Sequence, residues 1–313
     1  MKIYQSSLGY KTLELLTEYA PDIKVNILRS FRLNDDETFA IIRDFKDNID
    51  SIILDSGVWS KHNNPQKYNH TVEEYADFLN RYGQLFEFCF SYDEDFDEKE
   101  RDVHGSRNRD NQLFLEKTCT TVQPVPVIHL LENEEVDFYC QQSKKYSIVA
   151  IGSNAISDQR FSSVVKTLYE NDIKVHAFKI GSADKLKGLH AWSSDCSSHA
   201  QWTAAGRCVF YDSNNGKDAT VSFRPLDKKG IPNDDYYQIH HLLDDFMWFL
   251  EEYVSIEIDI LIKDSNYRTM TNSIYFWWLE KYLSNCNEAI VPKFIYQINP
   301  EVEEFINYLF KEK

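Results

Sequence analysis

One pattern constrains the fold of this 313-residue chain more than any other: short β-rich runs alternate with polar loops and with stretches of helical periodicity. Eight such runs are Lys24–Phe31, Ser51–Asp55, Phe86–Tyr92, Pro126–Leu130, Ser147–Gly152, Lys174–Ile180, Ala191–Asp195 and Arg207–Tyr211. Strands that alternate with helices form parallel sheets, and eight units in about 190 residues fit a TIM-type (β/α)8 barrel of the α/β class. The alternative is a doubly wound sheet, which favours a glycine-rich first βα turn. The chain contains no G-x-G-x-x-G.

The pattern changes after about residue 225, where longer amphipathic stretches replace the short units. Helices are predicted at Tyr236–Tyr253, Tyr267–Ser284 and Pro300–Phe310. We therefore expect a catalytic barrel over residues 1–225 and a helical C-terminal extension over residues 226–313 that packs on it. The cluster Phe276-Trp277-Trp278 in this extension is either a base-stacking platform or core, and core is the commoner fate of such a cluster.

Composition limits the partners of the chain. Its 34 basic and 50 acidic residues give a net charge of −16, which argues against extensive coating by nucleic acid and leaves only a local basic groove for such contact. Six scattered cysteines include no C-x-x-C pair, so we expect no metal site and no cofactor. The absence of a signal-peptide core and of a run of about 20 apolar residues predicts a reduced cytoplasmic protein that does not bind membranes.

Polar residues follow the ends of several predicted strands, where barrel enzymes place their sites. Three of them are carboxylates, Asp55, Asp93 and Asp195; the others are Ser56, Gly57, His129, Gly152, Ser153 and Gly181. Converging carboxylates suit glycosidic chemistry, in which one attacks an anomeric carbon and another transfers protons to and from the leaving group.

Each of these residues also has a structural explanation. Asp55 before Ser-Gly is a good turn cap, Asp93 begins an acidic run of the kind that is usually solvated, and Asp195 fits a helix cap. His129 in an apolar strand is more often a satisfied core histidine than a catalytic one. The group of residues is stronger evidence for a site than any one of them, because residues that only formed turns need not all fall at strand ends.

The order of six segments resembles the guanine transglycosylase superfamily, the barrel enzymes that exchange guanine in nucleic acid for a 7-deazaguanine base. The segments are Leu54–Ser60 (LDSGVWS), Phe90–Glu94 (FSYDE), Val125–Leu130 (VPVIHL), Ile148–Ser153 (IVAIGS), Val175–Gly181 (VHAFKIG) and Trp192–Ser198 (WSSDCSS). The resemblance covers roughly residues 24–212. The last segment is most similar to the shortened, virus-associated branch that modifies DNA, which would place the protein in a bacterial host cytoplasm if a phage encodes it.

The resemblance implies a role for each strand-end residue. Asp195 would attack C1′ of the target nucleotide, Asp55 would transfer protons to and from the exchanged bases, and Asp93 would hold the N1–H and exocyclic amine of the base. The remaining substrate-binding candidates are Ser56, Gly57, Trp59, His129, Gly152, Ser153 and His176. The candidates for phosphate contact are Arg107, Arg109, Lys185 and Lys187.

Departures from the family pattern bear on the substrate. The tRNA enzymes carry a C-x-C-x-x-C…H zinc arm after the nucleophile, whereas this chain has only Cys208 and Cys286 beyond the Asp195 motif. Ala177 replaces a glycine, and Val58-Trp59 is bulkier than usual. We therefore expect DNA rather than tRNA as the partner, with a free 7-deazaguanine base as co-substrate. The net charge of −16 predicts weak affinity for the nucleic-acid backbone, so either a basic partner protein delivers the substrate or only single-stranded segments bind, through stacking. The alternatives are a tRNA-type enzyme, an N-glycosidase or nucleosidase that uses water, and a non-catalytic binding subunit.

Overall fold

A computed structural model describes residues 1–33, 35–94, 107–129, 131, 134–152 and 158–286. In chain order the elements of the first half are β1 (Lys2–Ser6), α1 (Tyr10–Tyr19), β2 (Val25–Ser30), α2 (Asp35–Asp44), β3 (Ile49–Asp55), α3 (Val58–Asn63), α4 (Val72–Tyr82), α5 (Arg107–Thr118), β4 (Val127–Ile128), α6 (Glu134–Gln141) and β5 (Ile148–Ile151). Those of the second half are α7 (Asp158–Glu170), β6 (Lys174–Ala177), α8 (Ala183–Leu186), β7 (Ser193–Cys196), α9 (Ser198–Ala204), β8 (Arg207–Asp212), β9 (Lys217–Ser222), α10 (Leu243–Phe249), α11 (Ile258–Lys263) and α12 (Ser265–Cys286).

Seven strands form one parallel sheet in the order β3-β2-β1-β7-β6-β5-β4, which confirms the predicted α/β class. Two further parallel bridges involve the stretch between α4 and α5: Cys89 pairs with Leu54, and Phe90 pairs with Val125. Backbone hydrogen bonds accompany them, from the Phe90 N–H to the Leu54 carbonyl at 2.9 Å and from the Ser91 N–H to the Val125 carbonyl at 2.8 Å. Residues 88–91 therefore contact both β3 and the segment that leads into β4.

The concave face of this sheet is filled by one apolar cluster. Its members come from β1, β2, β3, the 88–91 stretch, the β4 region, β5 and the approach to β7: Tyr4, Leu28, Ile53, Phe88, Phe90, Val125, Val127, Ala150 and Trp192. Side chains from distant strands meet in one cluster only if the sheet curls. A larger cluster lies on the convex side, where helices including α1, α7 and α12 cover the sheet.

The prediction that Arg207–Tyr211 is the eighth barrel strand is wrong. This segment is β8, and it pairs antiparallel with β9 in a separate two-stranded sheet. The Asn214-Asn215-Gly216 turn, with Gly216 at φ +67°, makes it a hairpin. β1 lies in the parallel sheet between β2 and β7 instead, and the sequence pattern missed it because a five-residue strand containing Gln5 and Ser6 carries too few apolar residues to stand out.

Thr71 precedes apolar residues at helical spacing in the sequence and so predicts a helix from this point to Arg81; α4 confirms it. The Thr71 hydroxyl accepts the Glu74 N–H at 3.3 Å, and the Glu74 carboxylate accepts the Thr71 N–H at 2.9 Å. This reciprocal capping box satisfies two of the backbone donors that a helix start leaves open.

The C-terminal region packs against the sheet mainly through α12, which contacts α1, α9, β1 and β8. Its Glu280 accepts hydrogen bonds from the Ile3 N–H and the Asn26 side chain at 2.9 and 2.7 Å. Phe276 is buried in the core, as expected, while Trp278 is partly buried and stacks on Tyr282 at 5.2 Å. The predicted helix Pro300–Phe310 lies outside the described residues. None of the helices in the described ranges has the length and apolar character needed to cross a membrane.

Candidate active site

The parallel arrangement brings the carboxyl ends of β1, β2, β3, β6 and β7 to one edge of the curled sheet. Asp55 is the last residue of β3, and in the sheet register it lies opposite Ser30 of β2. Asp195 lies on β7 opposite Tyr4 of β1. Strand pairing therefore fixes the height of Asp55 and Asp195 in the sheet, and the charges of both Asp93 and Asp195 act on Asp55.

Asp195 is held by donors on both carboxylate oxygens. The Ser6 hydroxyl donates to Oδ2 at 2.7 Å, and the Lys179 backbone N–H donates to Oδ1 at 2.9 Å. The side chain is buried, with 5% of its surface exposed. These contacts keep the carboxylate in a single orientation, which is what a nucleophile at a fixed site needs.

His176 lies beside Asp195, in the interior of the sheet. Its Nε2 is 3.4 Å from Asp195 Oδ1, which is long for a hydrogen bond, while its Nδ1 lies 2.9 Å from the Ser193 hydroxyl. Burial lowers the pKa of His176 and outweighs the opposite effect of the Asp195 charge, so the ring is neutral near pH 7. His176 is completely buried between Phe90 and Phe178, so it can act on a substrate only through Asp195.

Asp55 has the environment of a proton-transfer group. Its Oδ2 accepts the Gly57 N–H at 3.1 Å and the Ser30 hydroxyl at 3.3 Å. Burial, and then the negative charges of Asp93 and Asp195, raise the pKa of Asp55 to about 7 against the opposing effect of these hydrogen bonds. Solvent still reaches part of Asp55. Its carboxyl group, however, is surrounded by protein atoms, and the resulting loss of hydration is the main cause of the raised pKa. Near pH 7 the carboxyl is about half protonated, so it can both donate and accept a proton.

Asp93 completes the group of carboxylates. Its Oδ1 accepts the Ser56 hydroxyl at 3.3 Å, and its Oδ2 lies 2.9 Å from His129 Nε2. Gly152 packs directly on this histidine: a Cβ built at Gly152 would lie 2.8 Å from His129 Cε1. The glycine therefore leaves space for the ring that orients Asp93.

Gly57 makes the sharp exit from β3 possible. It has φ +77°, and a Cβ there would lie 2.5 Å from the Phe31 carbonyl oxygen, so only glycine fits without rearrangement. This turn aims the Gly57 N–H at Asp55 and starts α3, whose second residue is Trp59. The Trp59 ring is exposed at 47%, and the Lys179 ammonium lies 3.9 Å from its centroid.

The four residues predicted to contact phosphate differ in their surroundings. Arg109 donates to the Tyr146 hydroxyl at 3.0 Å and lies over the Phe138 ring at 4.6 Å, so its position is that of a packing residue. Arg107 is exposed, 4.0 Å from Glu94, and Lys185 and Lys187 are exposed at α8 and just beyond it. Ser153 lies outside the described residues.

Three residues of the site were not predicted from the sequence: Ser6, Ser30 and Lys179. Ser6 and Ser30 are the last residues of β1 and β2. Recognition of β1 as a strand would have placed Ser6 at the same edge as Asp195. Lys179 follows His176 by three positions in the motif that contains it, and no pattern of charge distinguishes it from other lysines.

Over the described part of the chain, no group of three or more His, Cys, Asp or Glu residues is arranged to hold a metal ion. Comparison of the chain with protein-family models, with curated proteins and with solved structures gave no match.

Proposed function

We propose that the protein is a transglycosylase that exchanges guanine in nucleic acid, preferably DNA, for a 7-deazaguanine base. One observation carries this proposal: Asp195, a carboxylate held by two donors, shares a site with Asp55, a carboxyl whose pKa is about 7. A fixed nucleophile beside a second carboxyl that titrates near neutrality is the arrangement that double displacement at an anomeric carbon requires.

The reaction uses the two carboxyl groups in turn. An Asp195 oxygen attacks C1′ of the target nucleotide while the bond from C1′ to N9 breaks, and protonated Asp55 gives its proton to the departing guanine. The incoming base then loses its N9 proton to the Asp55 carboxylate. Its N9 attacks C1′ and displaces Asp195, so that both carboxyl groups return to their starting states and the sugar keeps its original configuration.

Asp93 is suited to recognise the base. An ionised carboxylate accepts about four hydrogen bonds, and Ser56 and His129 occupy two of these positions. The remaining positions can accept the N1–H and the exocyclic amine, which distinguish guanine-type bases from adenine. The contacts from Ser56 and His129 fix the plane of the carboxylate, and this plane sets the orientation in which the base can bind.

We also propose that residues 88–91 close the sheet into the eight-stranded barrel of this enzyme class. Support comes from the parallel bridges of Cys89 to Leu54 and of Phe90 to Val125, and from the single apolar cluster on the concave face. In this arrangement β1 supplies the eighth strand, and the three carboxylates surround one mouth.

The preference for DNA rests on the strand-seven segment Trp192–Ser198 and on the absence of the zinc-binding cysteine spacing. Because Asp195 is buried, a base inside a duplex can reach it only when that base is flipped out or the strand is single-stranded. With a net charge of −16, the protein has little general attraction for a duplex, which favours single-stranded segments or delivery by a basic protein.

The test is incorporation of labelled guanine into single-stranded DNA, duplex DNA and unmodified tRNA, offered in equal amounts. We expect label in DNA, and a covalent DNA adduct that survives denaturation for the wild type but not for Asp195→Ala. Incorporation confined to tRNA would reverse the choice of nucleic acid. Release of free guanine without incorporation would indicate a hydrolase instead, and an adduct that persists in Asp195→Ala would exclude Asp195 as the nucleophile.

A further inference from the structure

Lys179 and Trp59 form a contact that crosses the candidate site. Trp59 follows β3, and Lys179 follows β6 by two residues. The strands β2, β1 and β7 lie between β3 and β6, a separation of about 19 Å along a flat sheet. The Lys179 ammonium nevertheless lies 3.9 Å from the centre of the Trp59 ring, so the two side chains meet over the concave side of the curled sheet.

Both ends of this contact are tied to the proposed catalytic carboxylates. The Lys179 N–H donates to Asp195, and the Gly57 N–H, two residues before Trp59, donates to Asp55. The Lys179–Trp59 contact therefore lies close to both Asp55 and Asp195.

The backbone of Lys179 indicates that its side chain has a specific use. Lys179 has φ +61°, in the left-handed region, which costs a non-glycine residue about 1–2 kcal/mol. This conformation directs the N–H at Asp195, and a glycine would provide the same N–H without strain. A strained residue at a functional site is a reason to ask what its side chain does.

The charge of Lys179 is also unusual for its position. The cations Lys61 and Arg107 both lie within 4.0 Å of Glu94, whereas the contact of the Lys179 ammonium within the described residues is with the Trp59 ring. Its contact with an exposed tryptophan is worth about 0.5–1 kcal/mol, so the ammonium can leave the ring easily. Asp93 and Asp195, and Asp55 when it is ionised, repel an anionic substrate, and this exposed cation is placed to offset that repulsion.

We propose that Lys179 binds the phosphate next to the target nucleotide. This inference rests on the proposed function and deepens it by naming a residue that binds the backbone of the nucleic-acid strand. The ammonium moves from the ring to the phosphate when the strand enters, and returns when the strand leaves. Lys179 is thus a substrate-binding residue, and its loss should raise KM and leave kcat nearly unchanged.

The test uses Lys179→Gly, which removes the ammonium and keeps the N–H that donates to Asp195. Affinity is measured by fluorescence anisotropy on a single-stranded DNA with one guanine, and on two versions with a neutral methylphosphonate on the 5′ or the 3′ side of that guanine. Lys179→Arg tests rescue of the charge. Lys281→Ala is a control for loss of one lysine charge, because Lys281 also lies over a tryptophan ring, Trp277, but on α12 and beside Glu280 at 3.9 Å.

We expect Lys179→Gly to weaken binding of the natural strand about 3- to 10-fold, and to lower the slope of log K against log salt by about 0.7, the value for one phosphate on a single strand. The loss should disappear on one of the two methylphosphonate strands, and Lys179→Arg should restore binding. The guanosine monophosphate that carries its phosphate on the side identified by the methylphosphonate strands, 5′ or 3′, should compete better than guanosine for the wild type but not for Lys179→Gly.

An unchanged salt slope, or an equal loss on both methylphosphonate strands, would refute the role of Lys179. If the wild type exchanges no base in any nucleic acid but the phosphate effect persists, the proposed function fails and the phosphate site stands. If exchange is intact but insensitive to Lys179→Gly and to both neutral linkages, the proposed function stands and the phosphate site fails.

Discussion

Replacement of Asp55 by asparagine should make the protein more stable and less active, and the stability gain should depend on pH. The amide oxygen of asparagine can still accept the Gly57 N–H that Asp55 accepts at 3.1 Å, so the turn after β3 keeps its cap. What the substitution removes is the charge. Stability and exchange activity, measured together, therefore distinguish a proton-transfer residue from a simple turn cap.

The magnitude follows from the pKa of Asp55, about 7 in the folded protein against 3.8 for an ordinary aspartate. Because the folded state holds this proton more tightly than the unfolded chain does, stability is lost as the pH rises from about 4 to about 7. The asparagine side chain carries no charge at any of these pH values and avoids this loss. The free energy of unfolding of the variant relative to wild type should increase by about 2–3 kcal/mol between about pH 5 and pH 8.

The assay is urea denaturation of both proteins at several pH values, together with the rate of guanine exchange. Exchange should fall by about 10²- to 10⁴-fold in Asp55→Asn, the usual contribution of general acid–base catalysis. Asp77→Asn, which changes a solvent-exposed carboxylate on α4, is the control. A stability difference that does not vary with pH would refute the raised pKa, and full activity would reduce Asp55 to a turn cap.

Other predictions concern the neighbouring residues. Asp195→Asn should abolish exchange and adduct formation while far-UV circular dichroism stays unchanged, because the amide keeps the size of the side chain; residual exchange would exclude the nucleophile. Asp93→Asn should lower the pKa of Asp55, for which Asp93 is the larger of the two raising charges, and relax the choice of base; an unmoved alkaline limb of the pH–rate profile would contradict this. Gly152→Ala should displace His129 from Asp93, raise KM for the incoming base and lower the free energy of unfolding by about 1–3 kcal/mol. A melting temperature and a KM equal to those of the wild type would contradict this. Exchange should survive chelation of metals, and loss of activity with loss of stoichiometric zinc would refute a metal-free site.

The sequence predicted the elements that carry strong local signals. Apolar runs such as Ser51–Asp55 identified buried parallel strands, and Thr71 marked the start of α4. These signals are local because burial on both faces and helix capping act on neighbouring residues. The side chains that follow such strands could be listed as site candidates for the same reason.

Features that depend on long-range pairing were missed or misplaced. β8 has a more apolar sequence than β1, yet β1 occupies the parallel sheet because α12 covers it and β7 pairs with it. The Ser6 contact to Asp195 follows from that pairing. The contact of Lys179 with Trp59 depends on the curl of the sheet, and this curl cannot be predicted from any short segment of the sequence.

The position of β1 has a consequence for how the molecule folds. Tyr4 pairs with Asp195, so this strand pair closes a loop of about 190 residues, with an entropic cost of about 4–5 kcal/mol. Contacts of such separation form late, and sheets that depend on them fold slowly. Because the same pairing brings the Ser6 hydroxyl to Asp195, the proposed nucleophile gains this contact only once the β1–β7 pairing is complete, and a chain arrested earlier in folding would have the three carboxylates without the hydrogen bond from Ser6.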